Sequence, residues 1–386
     1  MENDVNRKTS WRKTVLRIFD LFLVIFIITP CCILAWRGTW LLMDYYILPK
    51  KSKASCWISL LLGITYSICC HLIQEVLNRT CTRLRTIQVV YIIVTRLYYY
   101  LAGVFSISVW RGVWGLLDAY LGKSILNATV SCVLGLIVII PFRGVSNLSF
   151  PPGFLSYDWN EKPFDLFHTR FNMQQRDTTF HEAVKHVADL LVSYILLIPA
   201  SVVIWRGVWE CTDLILYPKN LGMSGIVSTA SGYSLFLILL VLNPGVQRIS
   251  HKLSSFWLLR LIVLQLYAFI QFIAVNSMWR GIFNLLDAFV FPDSKLNRGI
   301  TAHVIGFGAL IILGASRSTG QVSFMVDGAD ESEPVKYLSH LRKACSNGRY
   351  SLLVDASSED QSQSASDEDE NSNTDEITNS NKPDII

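Results

Sequence analysis

The sequence predicts an all-α, polytopic membrane protein with eight transmembrane helices, built as four parallel two-helix repeats through a 4+4 internal duplication. Three observations predict it. Residues of the AVILMFWYC class make up 51% of the chain and charged residues only 17%, with mean hydropathy +0.37. Apolar runs close to the ~20 residues needed to cross a ~30 Å hydrocarbon core recur along the chain. A Trp-Arg-Gly motif followed by a fixed set of residues occurs four times.

Taken in order, residues 1–15 form a cytoplasmic N-terminal segment. Met1 to Arg17 carries five Lys/Arg, and the apolar run after it is too long for the core of a cleaved signal, so it reads as a retained anchor. The first membrane half, 16–142, holds runs at 16–47, 55–77, 87–120 and 124–142. The second half, 184–316, holds runs at 184–216, 222–242, 255–291 and 299–316. The odd runs exceed what a bilayer needs and must tilt or emerge from it. Between the halves, the cytoplasmic connector 143–183 contains Phe150, Phe154, Tyr157, Trp159, Phe164, Phe167, Phe171 and Phe180. So many aromatic residues predict packing against the membrane part or a partner. The cytoplasmic tail, 317–386, is acidic, and from 355 its Ser, Asp, Glu and Asn composition reads as disordered.

The repeat is explicit. Its copies are Trp36-Arg37-Gly38 with Trp40 and Asp44, Trp110-Arg111-Gly112 with Trp114 and Asp118, Trp205-Arg206-Gly207 with Trp209 and Asp213, and Trp279-Arg280-Gly281 with Phe283 and Asp287. The offset from Trp36 to Trp205 is identical to that from Trp110 to Trp279. At that same offset Asp20 falls on Asp189, Pro30 on Pro199, Gly63 on Gly232 and Arg79 on Arg248. Copies one and three share Asp and Pro residues that copies two and four lack, an ABAB pattern. Two helices per unit return the chain to one side, so all units point the same way. About 20 Lys/Arg flank the predicted inner face and about 7 the outer, which places both termini in the cytoplasm.

On a helix at about 100° per residue, each motif Trp and the aromatic four positions on share one side. Arg and Asp, seven apart, share another, but about 10 Å of rise separates them. An Arg of one copy is therefore better placed to meet an Asp of a neighbour, and four copies would close a ring of pairs. That ring reads in three ways. It lines a pathway for an ion or small solute, since ionisable groups in a bilayer are costly and often functional. It anchors at the interface, with Trp at the headgroups and Arg snorkelling. Or Gly permits close helix contact while Arg and Asp fasten the repeats.

Lesser features have plainer readings. Asp20 and Asp189 would cap helices or pair with basic residues, with a cation site as the alternative, and Pro30 and Pro199 would kink their helices, as shape or as a hinge. His71, Gln74 and Glu75 read as a solvated cluster, and His303 as locally satisfied. The nine cysteines show no metal or disulfide spacing; Cys81 and Cys345 are candidates for lipidation. Asn127-Ala-Thr129 is a sequon too close to the membrane to be used. No nucleotide, metal-hydrolase or nucleophile-elbow motif is present, so neither enzyme activity nor a cofactor or metal is expected. In the tail, Ser357, Ser358 and Ser366 precede acidic residues and suit an acidophilic kinase. Asp384-Ile385-Ile386 fits the mode in which a PDZ-type scaffold pairs a strand and holds the terminal carboxylate.

The four WRG-aromatic-x-x-x-Asp copies resemble the fuseless family of eight-pass membrane proteins, over about residues 15–325. The resemblance implies a neuronal protein of the presynaptic plasma membrane that organises voltage-gated calcium channels and supports synaptic transmission. It brings no catalytic or ligand residues. The expectation is thus a membrane organiser or trafficking factor, with lateral docking of a channel and scaffold recruitment through the tail. The alternative is a transporter or channel using a central Arg/Asp ring.

Overall fold

The computed structural model describes residues 15, 18–84, 86–153, 158, 162–172, 180–320 and 326–327. Among them are eight helices and no strand: α1 Ile18–Tyr46, α2 Ser52–Leu84, α3 Gln88–Leu121, α4 Ile125–Ile139, α5 Phe180–Ile215, α6 Leu221–Lys252, α7 Trp257–Phe289 and α8 Lys295–Leu313. Short 3-10 turns, Val145–Ser149 and Ser316–Thr319, follow α4 and α8.

Seven of the helices are long and apolar enough to cross a membrane. The eighth, α4, has 15 residues and covers about 22 Å. It stops short of the 124–142 run because Pro141 has no N–H to extend the ladder. The chain then turns through left-handed Arg143, φ 55°, into the first 3-10 turn. Conversely, α2 and α6, with 33 and 32 residues, outrun the apolar segments 55–77 and 222–242. Their polar last turns stay helical, so excess length is not confined to the odd helices.

The four odd-to-even connections are tight. Leu48, Gly122, Tyr217 and Phe291 adopt φ values of 44°, 67°, 48° and 45°. After three of them a turn closes, with Lys51 N–H donating to Leu48 O, Asn220 to Tyr217 O and Ser294 to Phe291 O. Ser124, Asn220 and Ser294 then cap α4, α6 and α8 by accepting the N–H three residues on. Exposed Tyr45, Tyr46, Tyr120, Phe289 and Phe291 ring this motif end of the bundle, and exposed Phe256 and Trp257 mark the opposite, connector end. Belts of this kind suit the two interfaces of a bilayer.

The odd helices contact one another in the cycle α1, α3, α5, α7 and back to α1. Each even helix packs chiefly on the odd helix that follows it: α2 on α3, α4 on α5, α6 on α7, and α8 on α1. In α1 and α5 a π-helical turn, Val24–Ile28 and Leu191–Leu197, lies just ahead of Pro30 and Pro199. Proline removes one N–H and crowds the carbonyl four residues back, and the wider turn accommodates both.

Candidate functional site: the interlocked motif ring

Every motif Arg pairs with the Asp of the preceding copy, and the first copy closes on the last. Arg111 Nε lies 2.8 Å from Asp44, Arg206 Nε 2.7 Å from Asp118, and Arg280 Nε 2.7 Å from Asp213. Arg37 bridges to Asp287, which also holds Arg298 at 3.2 Å. Three of the four guanidinium groups are buried. Arg111 and Arg280 are completed alike: Ser55 and Ser59 accept from Arg111, Ser224 and Ser228 from Arg280. The two serine pairs are related by the same offset as the motif copies, and in each pair the hydroxyls stand one turn apart, on α2 and on α6. Arg206 instead donates to Gly122 O, and its Nη1 is buried without a partner among the described residues.

The motif glycines set the helix spacing. A Cβ on Gly112 would fall 2.7 Å from Leu60 N, on Gly207 2.6 Å from Ala128 O, on Gly281 2.8 Å from Thr229 Cα, and on Gly38 2.8 Å from Ala302 C. Each contact is with backbone of the preceding even helix, which cannot yield as a side chain does. This is why the even helix lies on the next copy.

The tryptophans do not anchor at headgroups. Trp36, Trp110, Trp205 and Trp279 form a closed edge-to-face ring, with centroids 5.3 to 5.7 Å apart. Next to it Trp40, Trp114, Trp209 and Phe283 make a second tier. Aromatic edges carry partial positive charge and faces negative, so such rings interlock favourably. The space enclosed by the odd helices is therefore filled with aromatic side chains, while Arg and Asp lie between neighbouring helices. Glu210, five residues after Trp205, is also buried and makes no hydrogen bond or ion pair among the described residues. The other copies have Leu41, Gly115 and Asn284 there.

Toward the connector end the two 3-10 turns close the ring. Trp205 Nε1 donates to Leu148 O, Trp279 Nε1 to Pro151 O and Trp36 Nε1 to Thr319 O, at 2.9 to 3.1 Å. Each turn is capped by an aspartate from the other half. Asp158 accepts from the N–H groups of Ser316 and Arg317, and also pairs with Arg96. Asp327 accepts from the N–H groups of Val145 and Ser146, and from Gln265 Nε2. The two aspartates are related by the repeat offset, as are Arg96 and Gln265. Sequence reading passed over them. Their offset was visible, but the turns they cap are shifted by two residues between the halves.

Connector residues 162–172 lie on α2, α3 and α5. Asn78 Oδ1 accepts from Phe164 N–H at 3.0 Å, and Tyr98 O–H donates to Phe164 O at 3.1 Å. Gln74 Oε1 accepts from Phe167 N–H, and the His71 ring N–H donates to Phe167 O. Asp189 accepts from Thr169 O–H, Phe171 N–H and Ser193 O–H. His71 and Gln74 thus hold the connector rather than face solvent; only Glu75 makes the exposed pair, with Arg79. Asp189 serves the connector. His303 bridges Thr39 of α1 and Tyr100 of α3. Cys81 is buried, which removes it as a lipidation candidate. Cys345, the tail serines and Asp384-Ile385-Ile386 lie outside the described residues.

A family model described as Fuseless matches residues 15–319. The chain belongs to the Fuseless family. The Fuseless match takes in all four motif copies and both 3-10 turns, so the ring and its closure lie within the family region. No curated protein and no solved structure matches the chain.

Proposed function

We propose that this Fuseless protein is a non-catalytic organiser or trafficking factor of the neuronal plasma membrane that supports presynaptic calcium-channel localisation and synaptic transmission. Family membership over residues 15–319 carries the reading. On this proposal all eight helices cross the bilayer as four parallel repeats. Both termini are cytoplasmic, and the tail is free to recruit a cytosolic scaffold. The packed aromatic tiers support a scaffold over a conduit, because a water-filled path needs a polar lining along the axis. The test is a tag at the native locus, imaged in neurons, with presynaptic calcium channels counted with and without the protein. Active-zone localisation and a fall in channel density are expected. Localisation elsewhere, or unchanged density, removes the synaptic role.

The polar ring favours the second reading, a transporter or channel, to the extent that four ion pairs with three buried guanidinium groups are costly in a membrane. Solute or ion flux in reconstituted vesicles decides it. Flux abolished by Arg111→Ala would establish this reading in place of the first.

A further inference from the structure

The groove that holds the connector has a counterpart in the second half. α2 and α3 pack in the same register as α6 and α7. A Cβ on Gly63 would meet Phe105 O and Val109 N, and one on Gly232 would meet Ala274 O and Met278 N, the same positions advanced by the repeat offset. The residues that hold the connector therefore have placed equivalents. Gln74 corresponds to Asn243, Asn78 to Gln247, Tyr98 to Tyr267 and Asp189 to Asp20. Amide answers amide, and Tyr and Asp are retained, while His71 and Ser193 give way to Leu240 and Val24. Asp20 is as deeply buried as Asp189, at 5% against 2% exposed.

In the first half these groups read main-chain N–H and C=O groups rather than side chains. Gln74 takes the N–H of Phe167, and Asn78 and Tyr98 bracket the N–H and C=O of Phe164. In the second half the amides of Asn243 and Gln247, both half-buried, make no hydrogen bond among the described residues. Tyr267 O–H turns to Leu239 O of α6 instead. The chain also arrives at the right place. Asp158 caps the turn Ser316–Thr319 and lies six residues before Phe164. Asp327 caps the turn Val145–Ser149, and Glu333 lies six residues after it.

We propose that the α6–α7 connector end is a second groove that binds main-chain groups, and that its occupant is this chain's own segment 328–336. Glu333 would take the place of Phe164 against Gln247 and Tyr267, and Lys336 that of Phe167 against Asn243. Because backbone is read, the occupant need not repeat the aromatic sequence of the connector, and the segment does not.

The test uses the full chain in native membranes, with a photoreactive benzoylphenylalanine at Lys336 and, as control, at Phe167. The Phe167 probe is expected to label α2 within 70–78, and the Lys336 probe to label α6 within 239–251. Asn243→Ala with Gln247→Ala is expected to cut the second product several-fold and leave the first unchanged. Labelling of another protein, of another part of this chain, or of nothing by the Lys336 probe while the control works overturns the proposal. Insensitivity of the α6 product to the double substitution also overturns it, and a Phe167 probe that misses α2 overturns the groove in both halves. None of these outcomes depends on where the protein resides in neurons, so the test stands apart from the synaptic reading.

Discussion

Arg206 and Arg280 occupy equivalent positions with different support. Arg280 keeps two serine hydroxyls if its carboxylate is removed, whereas Arg206 keeps one carbonyl and already has an orphaned Nη1. Breaking a buried pair by removing one partner costs about 3–5 kcal/mol, because the remaining charge stays buried. Asp118→Ala is therefore expected to lower thermal stability in detergent, measured by fluorescence-detected size exclusion, more than Asp213→Ala does. Equal losses would show that the serine forks contribute nothing. The glycines make a sharper case. Gly281→Ala puts a methyl against Thr229 backbone and is expected to cost about 1–3 kcal/mol as overpacking. Gly308, with nothing within 4 Å of its Cβ position, should accept Ala on the same scale without loss.

The 3-10 turns are the elements on which the two halves exchange groups. Deleting a carboxylate that accepts two buried N–H groups leaves those donors unsatisfied, at about 1–3 kcal/mol. Asp327→Ala should loosen Val145–Ser149, release the acceptors of Trp205 and Trp279, and shift the protein's tryptophan emission to the red. Asp158→Ala should do the same at Trp36 alone. An unchanged spectrum in both would mean that the turns hold without their caps. How far such elements are legible in sequence differs by cause. The pairing of Arg with Asp across copies followed from their seven-residue spacing, since one helix cannot bring them together. The kinks at Pro30 and Pro199 were legible as backbone chemistry, but not their form as π turns. The packing of each even helix on the following odd helix was not legible, because Gly marks a close approach without naming the neighbour. The helical extension of α2 past Leu77 was hidden for another reason. His71, Gln74 and Asn78 look like a solvated end to a hydropathy reading, and only the connector lying over them makes them interior.

At the scale of the molecule, the ion pairs divide into two kinds. Arg111–Asp44 and Arg280–Asp213 lie within a half, while Arg206–Asp118 and Arg37–Asp287 cross between halves. The aspartate caps also cross, and so do the Trp110–Trp205 and Trp36–Trp279 contacts. Two seams of the same make thus close the bundle, one between α3 and α5 and one between α7 and α1. A chain divided between Asn172 and Phe180, with residues 1–176 and 177–386 expressed together, retains every one of these contacts. The two fragments are expected to co-purify from membranes. Asp118→Ala combined with Asp287→Ala should reduce recovery of the partner fragment strongly. Asp44→Ala combined with Asp213→Ala removes as many carboxylates, with only the partly exposed Lys295–Asp44 pair lost between halves, and should leave recovery much closer to that of the unsubstituted pair. If the two double variants behave alike, the seams are held by the aromatic tiers and glycine contacts alone, and the arginine–aspartate pairs within and between halves serve only to neutralise one another.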